Sequence, residues 1–304
     1  MGRTNQKKQM AVLALMLVWK LDLGSGKSFG QEQQREQQRM SELSSRQNRL
    51  LNEILARDIP AARATTESLG AEAGPVLVKL VGQKKSEIRL IVLELAPLSI
   101  STESSRAVIA LLKDSNSTVR AVATSDLAIC IQKEIVPDLL DLLKEKPSEE
   151  LTIALVSQIG VAGGLENIKD LQPFRSSNSA TVKHQASVAM AKLGDPTELK
   201  GVLKELDSSN ADERVQGLRD CQYIGQKELV KYFGRSLNDD RDYMLITPPH
   251  MTPAVMGRIC DIAVQTMSFM GIRFSFNAEV LARFTREQLE EARELVASMD
   301  KASQ

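Results

Sequence analysis

The feature that most restricts this 304-residue chain is a recurring unit of about thirty residues. Its copies align on Ile88, Val119, Leu151, Val182 and Val215, with steps of 31, 32, 31 and 33 residues. A near-fixed step of this length marks a stack of helix pairs, because a single pair cannot bury its apolar face alone. The expected fold is therefore all-α, a right-handed α-solenoid. Aromatic residues are only 4% of the chain, which suits helix-on-helix packing through Leu, Ala and Val better than a sheet core.

Each copy reads as a first helix, a polar turn and a second helix. First helices are expected at 75–81, 106–114, 137–144, 165–171 and 199–207. Second helices begin near Glu87, Ser117, Glu150, Thr181 and Glu213. Pro60 and Pro75 open helices, since a first-turn proline gives up no needed N–H. Gly160, Gly194 and Gly225 are expected to close second helices, where a left-handed residue favours glycine.

Three features together resemble the HEAT-repeat family in its short-period, phycobilisome-lyase-like form. They are the Leu-Leu-Lys-Asp114 end of a first helix, the Asn-Ser-x-Val119-Arg120 start of a second, and the Ala/Leu/Ile-Gly finish. The resemblance covers about residues 60–235 and decays toward 271. It implies an armadillo-type superhelix of HEAT-like helix pairs, used as a protein-binding scaffold; a fold of this kind does not fix a function.

Residues 1–30 read as a signal peptide or N-terminal anchor. Arg3, Lys7 and Lys8 precede the ten-residue apolar run Met10–Trp19, which Lys20 and Asp22 end. That run is shorter than an ordinary membrane span. Ser28-Phe-Gly30 offers small residues for cleavage before Gln31. The expected location is exported, periplasmic or secreted; the alternative is anchoring to the membrane by residues 10–19. Gly24-Ser-Gly-Lys-Ser28 lacks the first glycine of a phosphate-binding loop, having Leu21 there, and no βαβ pattern follows.

Residues 31–57 form a Gln- and Glu-rich segment with Met40, Leu43, Leu50 and Ile54 at helical spacing and polar Gln47 between them. It reads either as a helix docked on the first repeat or as a dimerising helix, which leaves monomer and dimer open. Residues 60–271 are the repeat solenoid, with an insertion at 238–253. Residues 272–304 are a capping helix and tail, opened by the capping box Thr285-Arg-Glu-Gln288.

Charge restricts the partners. Lys plus Arg equals Asp plus Glu at 39 each. Residues 1–30 hold five basic and one acidic residue, so the remainder carries 34 basic and 38 acidic, a net of −4. No basic excess neutralises phosphates, so nucleic acid is not expected as a partner. A membrane partner is expected only if the N-terminal segment stays attached.

Chemistry-bearing motifs are sparse. His184 and His250 are the only histidines, and no His-Glu step of the kind used by di-iron HEAT enzymes occurs. No Ser-His-Asp, HExxH or paired Cys/His spacing is present. Cys130, Cys221 and Cys260 are too widely spaced for a metal or disulfide framework. The basic residues Arg89, Arg120 and Lys183 follow the aligned apolar position, and Arg214 precedes it. They read as a ladder tying neighbouring repeats or as a row of ligand contacts. In the insertion, Tyr243, Met244, His250 and Met251 offer an apolar contact patch. The candidate partner-binding residues are thus Tyr243, Met244, His250, Met251, Arg120 and Lys183, with no catalytic, metal or cofactor residues. The expected function is a non-enzymatic protein–protein interaction scaffold that holds a protein partner in the groove of the solenoid. The alternative is a lyase or metal-dependent enzyme of a HEAT-like family.

Overall fold

The structure is a computed structural model, and it describes residues 26–245, 255–279 and 282–302. Most of the expected export signal lies outside the described residues. The described residues are all-α apart from one short hairpin. They fall into two compact units, Met1–Ala107 and Val108–Gln304.

In the first unit, α1 (Gly26–Ala56) is followed by α2 (Ile59–Leu69), α3 (Gly74–Leu80) and α4 (Ser86–Ser99). Asp58 caps α2 by accepting from the Ala61 N–H at 3.2 Å, with Pro60 in the first turn. The C-terminal half of α1 docks on the pairs that follow, and Leu50 and Ile54 are fully buried. Arg46 donates to the Ser68 carbonyl and Gln47 to the Glu72 carbonyl, each at 2.7 Å. Gln47 thus satisfies its amide within its own chain. α5 (Thr102–Leu111) runs across the boundary between the units.

The second unit holds α6 (Ser117–Leu127), α7 (Val136–Lys144), α8 (Glu149–Ala162), α9 (Ile168–Leu171), α10 (Ala180–Lys192), α11 (Pro196–Leu206) and α12 (Ala211–Ile224). The helix pairs expected from the period are there. The local code is repeated as well. Asn116, Ser148, Ser179 and Asn210 stand at successive starts of α6, α8, α10 and α12, and each side chain accepts a first-turn N–H. Within the unit α8, α10, α12 and the later α14 stack each on the next.

The basic residues do something more local than the expected ladder. Arg89 donates to the carbonyls of Gln83 and Lys84 at 2.6 and 3.1 Å. Arg120 donates to those of Asp114 and Ser115 at 2.7 and 3.1 Å. Arg214 donates to the Ser208 carbonyl. Each arginine reaches back five or six residues and satisfies carbonyls left open where the first helix ends. The third copy has Thr152 here, whose hydroxyl donates to Ser148. Ties between repeats come from other residues one period apart, such as Lys113 to Glu145 at 2.6 Å and Lys192 to the Tyr223 carbonyl at 2.6 Å.

Gly194 and Gly225 take positive φ, 104° and 75°, as helix-ending glycines do. Gly160 differs, because α8 continues past it to Ala162. A β-carbon there would collide with Ala189 of α10 and the Tyr223 hydroxyl of α12. Tyr223 donates to the Ser157 carbonyl of α8, so one hydroxyl ties α12 to α8. Gly160 is needed for close approach, not for a turn.

After α12 comes α13 (Gly234–Leu237), then β1 (Asp242–Leu245) and β2 (Val255–Arg258). The strands pair antiparallel, Asp242 with Arg258 and Tyr243 with Gly257. Strand pairing takes residues 255–258, and α14 (Ile259–Phe269) begins after them. Asp261 starts it by accepting from the Arg258 N–H at 3.0 Å. α15 (Arg286–Ala302) ends the described chain. The hairpin is rooted by Asp239, which pairs with buried Arg214 and accepts from Arg241 at 2.6 Å.

Gly160→Ala should destabilise the chain by about 1–3 kcal/mol, the usual cost of forcing an atom into a packed contact. A denaturant midpoint that does not move would remove the close-approach argument. Asp239→Ala leaves Arg214, only 4% exposed, as a buried charge without this partner, and should cost about 3–5 kcal/mol. Hydrogen bonds from Arg241 hold the Asp239 carboxyl below its ordinary range. Its contribution is therefore present above the unfolded value, about 3.9, and is lost as pH falls through the lower folded value. Acid melts of the two chains should converge at low pH.

Candidate functional site

Three adjacent helices of the second unit bring together residues that are far apart in sequence. His184 sits in the first turns of α10. One period further on is position 217, and Gln216 and Asp220 lie around it on α12, four residues apart on one face. Glu205 comes from the last turn of α11. The stacking of α10 on α12, with α11 packed against both, sets the geometry.

Asp220 is the deepest member, only 4% exposed. His184 and Glu205 are half-buried and reach the surface. His184 Nε2 lies 3.1 Å from Oδ1 and 3.1 Å from Oδ2 of Asp220. Gln216 Nε2 donates to Asp220 Oδ1 at 2.9 Å and lies 3.2 Å from His184 Nε2. One ligand atom from each of His184, Glu205 and Asp220 falls within 4.8 Å of the others. Glu205 Oε2 and Asp220 Oδ2 are buried and make no hydrogen bond of normal geometry.

The electrostatics follow from crowding two carboxyls beside one imidazole. Burial, then the Asp220 charge, pushes Glu205 up to about 7, and a hydrogen bond from its protonated carboxyl to Asp220 adds to the rise. The hydrogen bond to Asp220 raises His184, against the pull of burial. Cys221, next along α12, is pushed up to about 12 by burial and by the Asp220 and Glu205 charges, so its thiol stays protonated. A nucleophilic cysteine is thereby excluded at this place. The site offers one imidazole nitrogen and two carboxyl groups within 4.8 Å of one another.

The residues singled out by sequence are distributed elsewhere. Lys183 is exposed on α10 beside His184. Arg120 lines a groove of about 590 Å³ between α6 and α8, and its guanidinium is bonded to its own turn. Tyr243 is on β1, half-buried, its phenol pushed up by burial and then by Asp212. Met244 is on β1, and His250 and Met251 lie outside the described residues. Sequence reasoning did name His184, but it searched for a carboxylate beside it in the chain. The signal lay one period downstream, where an acidic residue falls between the apolar positions Leu218 and Cys221.

Fold and site together define an all-α helical-repeat protein with a His/Glu/Asp centre between consecutive repeats. No family model matches the sequence, and no curated protein matches it. Among solved structures, the chain is similar to a chain in "The structure of the complex of CpcE and CpcF of phycocyanin lyase from Nostoc sp. PCC7120". The two share 14% identity with a TM-score of 0.45, over 83% of this chain and 92% of that one. That structure is a complex of two proteins and is described as a lyase.

This corrects the sequence reading. The expectation of a non-enzymatic scaffold, and with it the expectation that the chain is not an enzyme, is withdrawn: the solved chain that it matches belongs to a lyase, the class given as the alternative. At this level of similarity nothing of that lyase's activity transfers. The functional argument rests on the His184 centre, a feature the scaffold reading did not include.

Glu205→Gln tests the crowding directly in metal-free protein. A carboxyl raised from 4.5 to about 7 in the folded state is neutral and harmless below the unfolded value, and its burden grows as pH rises toward 7. The variant should therefore match the parent near pH 4.5. Above pH 7.5 it should be more stable by about 1–2 kcal/mol, a figure discounted for partial exposure. Equal melting temperatures at both pH values would show that Glu205 is not crowded.

Proposed function

We propose that the chain is a metal-dependent enzyme of the helical-repeat class, with a divalent cation held by His184, Glu205 and Asp220. The observation that carries this is the gathering of one ligand atom each from His184, Glu205 and Asp220 within 4.8 Å of one another, with Glu205 Oε2 and Asp220 Oδ2 buried and making no hydrogen bond. Once both are ionised, as pH rises past about 7, the two acceptors cannot satisfy one another. A buried carboxylate without a donor is costly, and an ion between them removes the cost.

The donor set suits zinc, manganese or iron, which accept imidazole nitrogen with carboxylate oxygen. Three protein ligands leave open coordination positions, as in catalytic and not structural zinc sites. A cation there lowers the pKa of a bound water or polarises a substrate carbonyl. The chain's own parts have distinct roles. In the ion-free centre Asp220, buried in α12, positions the imidazole by facing Nε2 with both oxygens. Half-buried His184 and Glu205 leave the outer side open to a substrate. The reaction class that fits is attack of an activated water on a polarised bond.

Calorimetric titration of EDTA-treated protein with zinc and with manganese tests the reading. We expect about one ion per chain, with His184→Ala and Asp220→Asn each weakening binding at least about 100-fold. Hydrolysis of an activated ester, p-nitrophenyl acetate, should depend on the ion and be lost in His184→Ala. Binding that survives both substitutions would place the ion elsewhere.

A further inference from the structure

We infer that Gln216 is a built-in competitor of the cation, and that its side chain must swing out of the centre for the ion to bind. This rests on the cation site proposed above and concerns how that site is controlled. His184 Nε2 has one in-plane lone pair when unprotonated. The Gln216 amide nitrogen lies 3.2 Å from that atom and donates to Asp220 Oδ1 at 2.9 Å. An N–H₂ group that close to both atoms occupies the approach an ion would take. It also matches the chemistry: the amide has two donors, one on Asp220 Oδ1 and one for Nε2 when that atom carries no proton.

Competition follows from the single lone pair. An imidazole nitrogen accepting an N–H from Gln216 cannot ligate at the same time. The same atom, when protonated, donates to Asp220 at 3.1 Å and again cannot ligate. The ion-free centre therefore has two closed arrangements. Only the first is controlled by a neighbouring side chain.

The movement required is small. Gln216 and Asp220 are i and i+4 on α12, so the amide reaches the carboxylate along the helix surface. Gln216 is half-buried and has solvent on its outer side. Rotation about one side-chain torsion to another staggered well removes the amide and leaves the backbone unchanged. Asp220 is fixed by burial and His184 by its contact with Asp220, so Gln216 is the mobile member of the group. The consequence is a centre tuned to weak, reversible occupancy. The hydrogen bonds of the amide must be given up before the ion gains its ligands.

The alternative role for Gln216 is opposite in sign. Its carbonyl oxygen, turned inward, would add a ligand and strengthen binding. The two roles are separable by substitution. Zinc titrations of the full chain, wild type against Gln216→Ala and Gln216→Leu, decide between them, the leucine variant keeping the volume of the side chain. Thermal melts of each variant confirm folding. A competitor predicts that both variants bind zinc roughly tenfold more tightly than wild type, the fold-change expected for losing about one net hydrogen bond. Unchanged or weaker affinity in the two variants, with wild type still binding, overturns the inference and leaves the His184–Glu205–Asp220 site standing. Absence of zinc binding in all three chains overturns the cation site itself, and the competitor with it.

Discussion

A helix pair of about thirty residues has too little core to stand alone, and every other feature here depends on the stacking that answers this. The second helix of each unit is covered by the second helix of the next, α8 by α10, α10 by α12 and α12 by α14. The fit is close where Gly160 lets Tyr223 of α12 reach past α10 to Ser157 of α8. Stacking at a fixed step also decides which distant residues become neighbours. His184 and position 217 are one period apart, so an acidic residue and an amide placed around 217 arrive at the imidazole without any loop to carry them.

This explains why the centre is both rigid and partly open. Asp220 occupies a position in the sequence of α12 that lies between apolar Leu218 and Cys221, and the stack buries it. Its burial is tolerable only because His184 and Gln216 face it. Glu205 adds a second carboxyl, which burial and the Asp220 charge keep protonated up to about pH 7. Among the described residues it is the one cluster of His, Cys, Asp or Glu with metal-binding spacing. The three cysteines are buried with raised pKa values and offer no rival chemistry.

Much of the fold was legible in the sequence, because helix periodicity, caps and period are local or nearly local signals. The Asn and Ser caps at 116, 148, 179 and 210 can be read directly. Two features were hidden. The role of Gly160 depends on what lies across the stack, which no local rule contains. The strand at Val255–Arg258 depends on pairing with Asp242–Leu245, and pairing overrides a helical pattern of only four residues. The site was hidden for a third reason. Its members are separated by 36 residues between His184 and Asp220, and a search for metal motifs looks for ligands at short spacing. Adding one period to each histidine would have shown Gln216 and Asp220, though not Glu205, which comes from the other helix of the pair.

The most direct test of the central claim is anomalous diffraction from crystals of the full chain grown with manganese or zinc. The account predicts a single strong anomalous peak between His184 Nε2 and the carboxylates of Glu205 and Asp220, at about 2.0–2.2 Å from each ligating atom. It also predicts that Gln216 is turned away in that structure. A map with no peak there, and with the Glu205 and Asp220 carboxyls joined through a shared proton at hydrogen-bond distance, would contradict it.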